Sequence, residues 1–264
     1  MDRVTSVTLK QRKQSGEKIA VLTAYDYPAA KLMDDAGVDV LLVGDSCANV
    51  VMGLPDTLGI TMDQMVHHTR MVSRAATRAM VVGDMPFLSY QISPEEALRH
   101  AGRFVQEGGA QAVKLEGSAD KFGSAIASVI RAGIPVMGHL GLTPQSVNVF
   151  GGYKVQGRDP QDRVRIKDEA LGLEAAGCFS IVLECIPADL AEEITAAVSI
   201  PTIGIGAGAA CDGQVLVMHD MLGFGAPPKF VKRYADIAGT MRRAFEEYVK
   251  DVKTGAFPGK EHQY

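Results

Sequence analysis

The chain has 264 residues, 47% of them hydrophobic, and its 27 basic and 31 acidic side chains leave a net charge of −4. That length can bury a large core, and the absence of any basic block or basic stripe interleaved with aromatics argues against nucleic acid or an anionic membrane as a partner. Cys47, Cys178, Cys185 and Cys211 are scattered without CxxC spacing, which speaks against a zinc cluster or a disulfide framework and fits a reducing cytoplasm.

Met1 to Lys18 is polar, of mixed charge, and lacks the apolar stretch of a signal peptide. No later run approaches the roughly 18 apolar residues of a spanning helix, so a soluble, untargeted protein is expected. Short β-rich runs then alternate with amphipathic stretches, the pattern of a parallel sheet made of βα units. The first strand is expected at Ile19–Ala24, with a helix after Asp26 running through Ala36, and the second at Val38–Val43, ending in Gly44-Asp45-Ser46. Cys47–Ile60 is long enough to be a binding loop, and Thr61–Thr77 reads as a helix. A third strand, Met80–Val82, ends in Gly83-Asp84. Ser93-Pro94-Glu95-Glu96 combines a cap, a first-turn proline and acids, so a helix starts there and stops near Gly108.

The fourth strand is Ala112-Val113-Lys114-Leu115-Glu116, where an apolar run ends in two charges on one side of an extended backbone. A helix follows over Ala119–Ala132. The fifth strand, Pro135–Gly138, ends in His139; a second long loop spans Thr143–Pro160, and a helix spans Gln161–Ala176. The sixth strand, Phe179–Leu183, ends at Glu184, and Ala188–Val198 is helical. The seventh strand is Thr202–Ile205 and the eighth Gln214–Met218. The closing helix is expected over Val231–Val249, ahead of a polar, mobile tail at about 251–264.

Gly37, Gly109, Gly133 and Gly177 each precede a polar group, Asp45, Glu116, His139 and Glu184, by six to eight residues. Helix-ending glycine, strand, functional side chain is a repeating unit. Eight such strands over this length suit a single-domain (β/α)8 barrel, in which Asp45, Asp84, Lys114, Glu116, His139 and Glu184 converge at the C-terminal ends of the strands. A doubly wound open sheet is the alternative.

Asp45, Asp84 and Glu116 read as three oxygen ligands for a hard cation such as Mg²⁺, although each Gly-Asp is also an ordinary turn or cap. Lys114 either pairs with Glu116 or meets a substrate carboxylate. Glu184 lies between apolar neighbours and is the best candidate general base. Ser46 is either a donor to a ligand or a local cap, and His139 either a structural hydrogen bonder or a group supporting the site. His67-His68 lacks metal-ligand spacing, Gly204–Gly208 lacks the dinucleotide-binding spacing, and Met65, Met71, Met80 and Met85 read as core filling.

Gly44-Asp45-Ser46, Gly83-Asp84-Met85-Pro86-Phe87, Val113-Lys114-Leu115-Glu116-Gly117, Gly138-His139-Leu140-Gly141-Leu142-Thr143-Pro144-Gln145, Leu183-Glu184-Cys185-Ile186-Pro187 and His219-Asp220-Met221-Leu222-Gly223 together resemble the ketopantoate hydroxymethyltransferase family over nearly the whole chain. The resemblance implies a (β/α)8 fold and transfer of a hydroxymethyl group from 5,10-methylenetetrahydrofolate to 3-methyl-2-oxobutanoate through a magnesium-stabilised enolate, in the first step of pantothenate synthesis. It also implies Mg²⁺ on Asp45, Asp84 and Glu116, substrate contacts from Asp45, Ser46, Asp84 and Lys114, Glu184 as proton acceptor, and a homodecamer. Cys47 and Ser118 depart from the family pattern, leucine and glycine being expected there; neither removes a ligand. A magnesium barrel of the phosphoenolpyruvate mutase and isocitrate lyase type, or a barrel that only binds, would share parts of this pattern. The former should carry a gating loop with cysteine or aspartate and need no folate.

Overall fold

Every expected strand forms, and each pairs in parallel with the next: β1 (Ile19–Thr23), β2 (Val40–Val43), β3 (Met80–Asp84), β4 (Ala112–Lys114), β5 (Val136–Gly141), β6 (Ser180–Glu184), β7 (Thr202–Ile205) and β8 (Gly213–Leu216). Pairing of β8 with β1, Ile19 opposite Gly213 through Leu22 opposite Leu216, closes the barrel, so the open-sheet alternative falls. The computed structural model describes residues 3–226 and 228–264; Met1 and Asp2 of the polar N-terminal segment, and Pro227, lie outside the described residues. The chain divides into two compact units, Met1–Leu216 and Val217–Tyr264.

In the first unit the strands alternate with α2 (Tyr27–Asp35), α4 (Met62–Ala75), α5 (Pro94–Gln106), α6 (Ala119–Arg131), α8 (Pro160–Ala175) and α9 (Ala188–Ala197), which follow α1 (Ser6–Ser15). The glycines that end the expected units, Gly37, Gly109, Gly133 and Gly177, all take the left-handed conformation, with φ from 76° to 96°. Only glycine enters this region without strain, which is why the chain can turn from helix to strand there.

Val21, Val40, Leu42, Met80, Val82, Ala112, Met137, Val182, Ile203 and Val215 form one buried cluster, the barrel interior. Side chains two apart on a strand share a face. The next inward positions are therefore Asp84 after Val82, Lys114 after Ala112, His139 after Met137 and Glu184 after Val182. The alternation that fills the barrel delivers the charged groups to its C-terminal mouth.

Several boundaries differ from the sequence reading. The polar N-terminal segment contains α1, held by a capping box between Thr5 and Thr8, and Val4 and Leu9 join the interior cluster. The two long loops carry short helices, α3 (Cys47–Val50) and, after a 3-10 turn at Pro144–Ser146, α7 (Val147–Phe150). The last strand ends at Leu216, where its pairing with β1 stops, rather than at Met218, which opens α10 (Met218–Met221). The closing helix, α11 (Ile237–Thr254), starts six residues later than Val231, because the Asp236 side chain accepts from the Gly239 N–H and fixes the cap. The tail expected to be mobile begins inside α11 and continues into a 3-10 turn at Lys260–His262.

Candidate active site

The charged groups predicted from strand ends do meet. Asp45, Asp84, Lys114, Glu116 and His139 are all buried, at 2–4% exposure, and the Glu184 side chain is 16% exposed. Strand register starts the assembly: Asp84 sits opposite Lys114 across β3 and β4, and the Lys114 Nζ lies 2.6 Å from Asp84 Oδ1. Its distance to Glu116 Oε1 is 3.9 Å, so the nearer partner of Lys114 is Asp84. Burial alone would depress the ammonium pKa, but Asp84, Glu116 and Asp45 outweigh it and keep Lys114 charged.

Asp45 follows β2, and its backbone N–H donates to Asp84 Oδ2 at 3.2 Å. Burial, then the charges of Asp84 and Glu116, hold the Asp45 carboxyl well above the usual carboxylate range, with Lys114 and Gln145 offsetting only part of this. Glu116 is shifted the other way: burial would raise it, but His139, Lys114 and the Gln145 N–H lower it overall. His139 lies between Glu116 Oε1, 3.4 Å from Nδ1, and Glu184 Oε2, 3.2 Å from Nε2. Neither contact is aligned as a hydrogen bond, so the two carboxylates bracket the ring as ion-pair partners. Burial and Lys114 disfavour the imidazolium, yet the carboxylates push its pKa up to about 9.

His139 is therefore the charged link between Glu116 and Glu184. Glu184 also departs from expectation: its neighbours in sequence are apolar, but its carboxylate faces His139 rather than an apolar wall. The main chains of β5 and β6 approach closely at this level: Gly141, φ 92°, pairs with Glu184, and a Cβ there would clash with the Glu184 main-chain carbonyl oxygen. Ser46 Oγ is 2.8 Å from Tyr25 Oη, and its side chain makes no cap to α3. His68 bonds the Tyr25 carbonyl at 2.7 Å, a structural role.

Sequence reasoning missed Gln145, Tyr90 and Tyr25. The Gln145 side-chain Nε2 donates to Asp45 Oδ2 at 2.9 Å, and its backbone N–H donates to Glu116 Oε2 at 2.9 Å. Tyr90 Oη lies 2.8 Å from Gln145 Oε1. Tyr153, from the second long loop, has its phenol pKa raised by burial and by Asp56, Asp45, Glu184 and Glu116.

Among the described residues no trio of His, Cys, Asp or Glu closes on a metal position. Asp84 Oδ1 is engaged by Lys114 and Asp45 Oδ2 by Gln145. The donor set nevertheless suits a hard cation. Among the described residues, Asp45, Asp84, Glu116 and Glu184 have Lys114 and His139 as their positive partners, and Glu116 Oε1 is buried with no hydrogen-bond donor.

The family model for ketopantoate hydroxymethyltransferase matches residues 3–260. The chain belongs to this family. The 3-methyl-2-oxobutanoate hydroxymethyltransferase of Carboxydothermus hydrogenoformans is 55% identical over 266 residues, spanning 100% of this chain and 96% of its own. Membership makes the chain an enzyme, a transferase of one-carbon groups. In fold, this member of the ketopantoate hydroxymethyltransferase family is similar to a phosphonopyruvate hydrolase solved with oxalate and Mg²⁺, with TM-score 0.64, 12% identity and coverage of 98% of this chain and 93% of that one. It is also similar to 2,3-dimethylmalate lyase, a member of the phosphoenolpyruvate mutase/isocitrate lyase superfamily, with TM-score 0.62, 18% identity and coverage of 98% and 92%. At those identities the likeness concerns the fold alone.

Proposed function

We propose that the enzyme transfers a hydroxymethyl group from 5,10-methylenetetrahydrofolate to 3-methyl-2-oxobutanoate, giving 2-dehydropantoate, the first step of pantothenate synthesis. The observation that carries the reading is one mouth lined by Lys114, Asp45, Asp84, Glu116, His139 and Glu184 in a chain 55% identical to an enzyme of that name. A 2-oxo acid needs a cation for its carboxylate, stabilisation of the charge that develops when C3 loses its proton, and a base within reach of C3.

In this reading Lys114, buried and charged, binds the substrate carboxylate. Asp45, Asp84 and Glu116 hold Mg²⁺, which when bound supplies Lewis-acid stabilisation of the oxo-acid oxygens. Ser46, oriented by Tyr25, donates to the substrate. Glu184 takes the C3 proton. His139 Nε2 lies 3.2 Å from one carboxylate oxygen of Glu184, which leaves the other for C3, and abstraction depends on the positive groups around the substrate making C3 acidic. The carbanion carbon then bonds to the one-carbon unit and water supplies the hydroxyl oxygen, while both carbon–nitrogen bonds of that unit break and tetrahydrofolate leaves, its two nitrogens taking up the C3 proton and the remaining proton of the water.

The test is exchange of the C3 proton of 3-methyl-2-oxobutanoate in deuterated water. Exchange requiring Mg²⁺, with product only when methylenetetrahydrofolate is added, is expected; exchange without folate-dependent product would favour a lyase or mutase of the related superfamily. No helix among the described residues is long and apolar enough to cross a membrane, and free cysteines at all four positions fit the cytoplasm. The homodecamer expected of the family draws support from α11, which buries none of its side chains and exposes Met241, Phe245, Tyr248, Val249 and Val252. Sedimentation velocity would give the mass of the assembly.

A further inference from the structure

We propose that Gln145 is the positioning residue of the carboxylate cluster: it ties back one oxygen of Asp45 and one of Glu116, so that the second oxygen of each is presented to a divalent cation. The inference rests on the magnesium reading given above and names the residue that makes the ligand set competent. Gln145 is 6% exposed and lies in the 3-10 turn after β5, while the acids it holds come from the ends of β2 and β4.

Its amide orientation is fixed by its neighbours. The Met85 carbonyl can only accept, so Nε2 must be the atom 3.0 Å from it and 2.9 Å from Asp45 Oδ2. Oε1 then faces Tyr90 Oη at 2.8 Å and Gln91 Nε2 at 3.1 Å. Both N–H groups and both lone pairs of the amide are used, which leaves the side chain one rotamer. The main chain of the same residue donates to Glu116 Oε2 at 2.9 Å, and the other oxygen, Oε1, accepts no hydrogen bond and has only the longer ion-pair contacts to His139 Nδ1, 3.4 Å, and Lys114 Nζ, 3.9 Å.

A neutral donor is what this place requires. A cationic side chain against Asp45 would neutralise the charge meant for a ligand, and an apolar one would let the carboxylate swing away from Asp84, whose charge repels it. A structure needing only filled space would not spend every bond of a buried amide on this arrangement.

The experiment is calorimetric titration of metal-stripped enzyme with MgCl₂, alongside steady-state kinetics. Gln145→Met keeps the volume and the main-chain N–H on Glu116 but removes the side-chain donor to Asp45; Mg²⁺ should bind about tenfold or more weakly, the loss of one charge-assisted hydrogen bond. Gln145→Asn keeps an amide on a stem too short to span Asp45 and Tyr90 and should behave the same way, whereas mere polarity at this position would leave it near wild type. A folded Gln145→Met enzyme whose Mg²⁺ Kd stays within about twofold of wild type would overturn the inference. If Gln145→Met does not fold, Tyr90→Phe decides: loss of the anchor on Oε1 should weaken Mg²⁺ by a few fold, and an unchanged Kd refutes the role. Wild-type enzyme that binds no Mg²⁺ sinks the magnesium reading itself, an outcome distinct from wild-type binding with unaltered variants.

Discussion

Lys114→Met swaps a buried ammonium for an uncharged side chain of similar length. The ammonium lies 2.6 Å from Asp84 Oδ1 and 3.9 Å from Glu116 Oε1, all three groups being almost fully buried. At an effective dielectric of about 20, the shorter contact is worth roughly 6 kcal/mol of attraction, against several kcal/mol for desolvating the ammonium. Removing one partner leaves Asp84 buried beside two other acids, and breaking such a pair costs about 3–5 kcal/mol. For a chain of this size that lowers the unfolding temperature by roughly 6–20 °C. Calorimetry in EDTA should show the drop, and saturating MgCl₂ should recover a large part of it, because the added cation meets the same carboxylates. With Mg²⁺ saturating, the KM for 3-methyl-2-oxobutanoate should rise by about tenfold or more, the loss of a hydrogen bond between charges. A variant that melts within about 2 °C of wild type in EDTA and keeps its KM would refute both the buried pairing and the carboxylate contact.

Glu184→Gln should abolish C3 proton exchange and lower kcat by about 10²–10⁴-fold, with Mg²⁺ affinity nearly unchanged; measurable exchange at the wild-type rate would remove Glu184 from the chemistry. Asp45→Asn should raise the unfolding temperature of the metal-stripped protein, since burial and the charges of Asp84 and Glu116 oppose its ionisation, while abolishing Mg²⁺ binding in titration calorimetry. Asp34→Ala should destabilise by about 3 kcal/mol in chemical denaturation at neutral pH, because Asp34 accepts from the N–H groups of Thr77, Arg78 and Ala79 and from the Thr77 hydroxyl. Burial opposes ionisation there, but those donors lower the Asp34 pKa from 3.8 to about 2, so its contribution is complete above about pH 4 and is lost as pH falls through about 2. The gap between wild type and Asp34→Ala should close over that interval.

The fold was legible because the strands are apolar runs ended by charges, and because Gly37, Gly109, Gly133 and Gly177 mark where helices stop. The charged half of the site was legible for a related reason: a barrel interior has no use for Lys114, Glu116 or Glu184, so their presence on inward positions is itself a signal. Gln145 gave none. It is uncharged, lies in a loop without periodicity, and meets Asp45 at a separation of 100 residues. The Tyr90 and Tyr25 hydroxyls are hidden for the same reason, since an aromatic beside a helix start reads as packing. Helix α1 escaped because only Val4, Val7 and Leu9 are apolar in a polar stretch, and it is held by its capping box and by the barrel end beneath it. Helix α11 was misplaced because the cap at Asp236 is three residues from an ordinary glycine and carries no acid in the first turn to mark it.

The two ends of the barrel treat buried acids in opposite ways, and the contrast separates structural charge from functional charge. At the N-terminal ends of the strands, Asp39 takes Arg12 at 2.7 Å, Arg78 at 3.1 Å and the Ala20 N–H at 3.0 Å. Asp212 takes Lys13 at 2.8 Å and the Thr202 N–H at 2.8 Å, and Asp34 has its ring of backbone donors. Each acid there is matched, and removing one leaves donors unsatisfied. At the C-terminal mouth the acids outnumber their cationic partners, one carboxyl is driven toward its neutral form, and one carboxylate oxygen has no donor. Such an imbalance works against the fold, since buried like charges repel and an unmet buried acceptor costs about 1–3 kcal/mol. It makes physical sense only if the missing positive charge arrives with the ligands. Substitution should therefore act with opposite sign at the two ends, destabilising the metal-free protein at Asp34 and stabilising it at Asp45, a difference that packing alone would not produce.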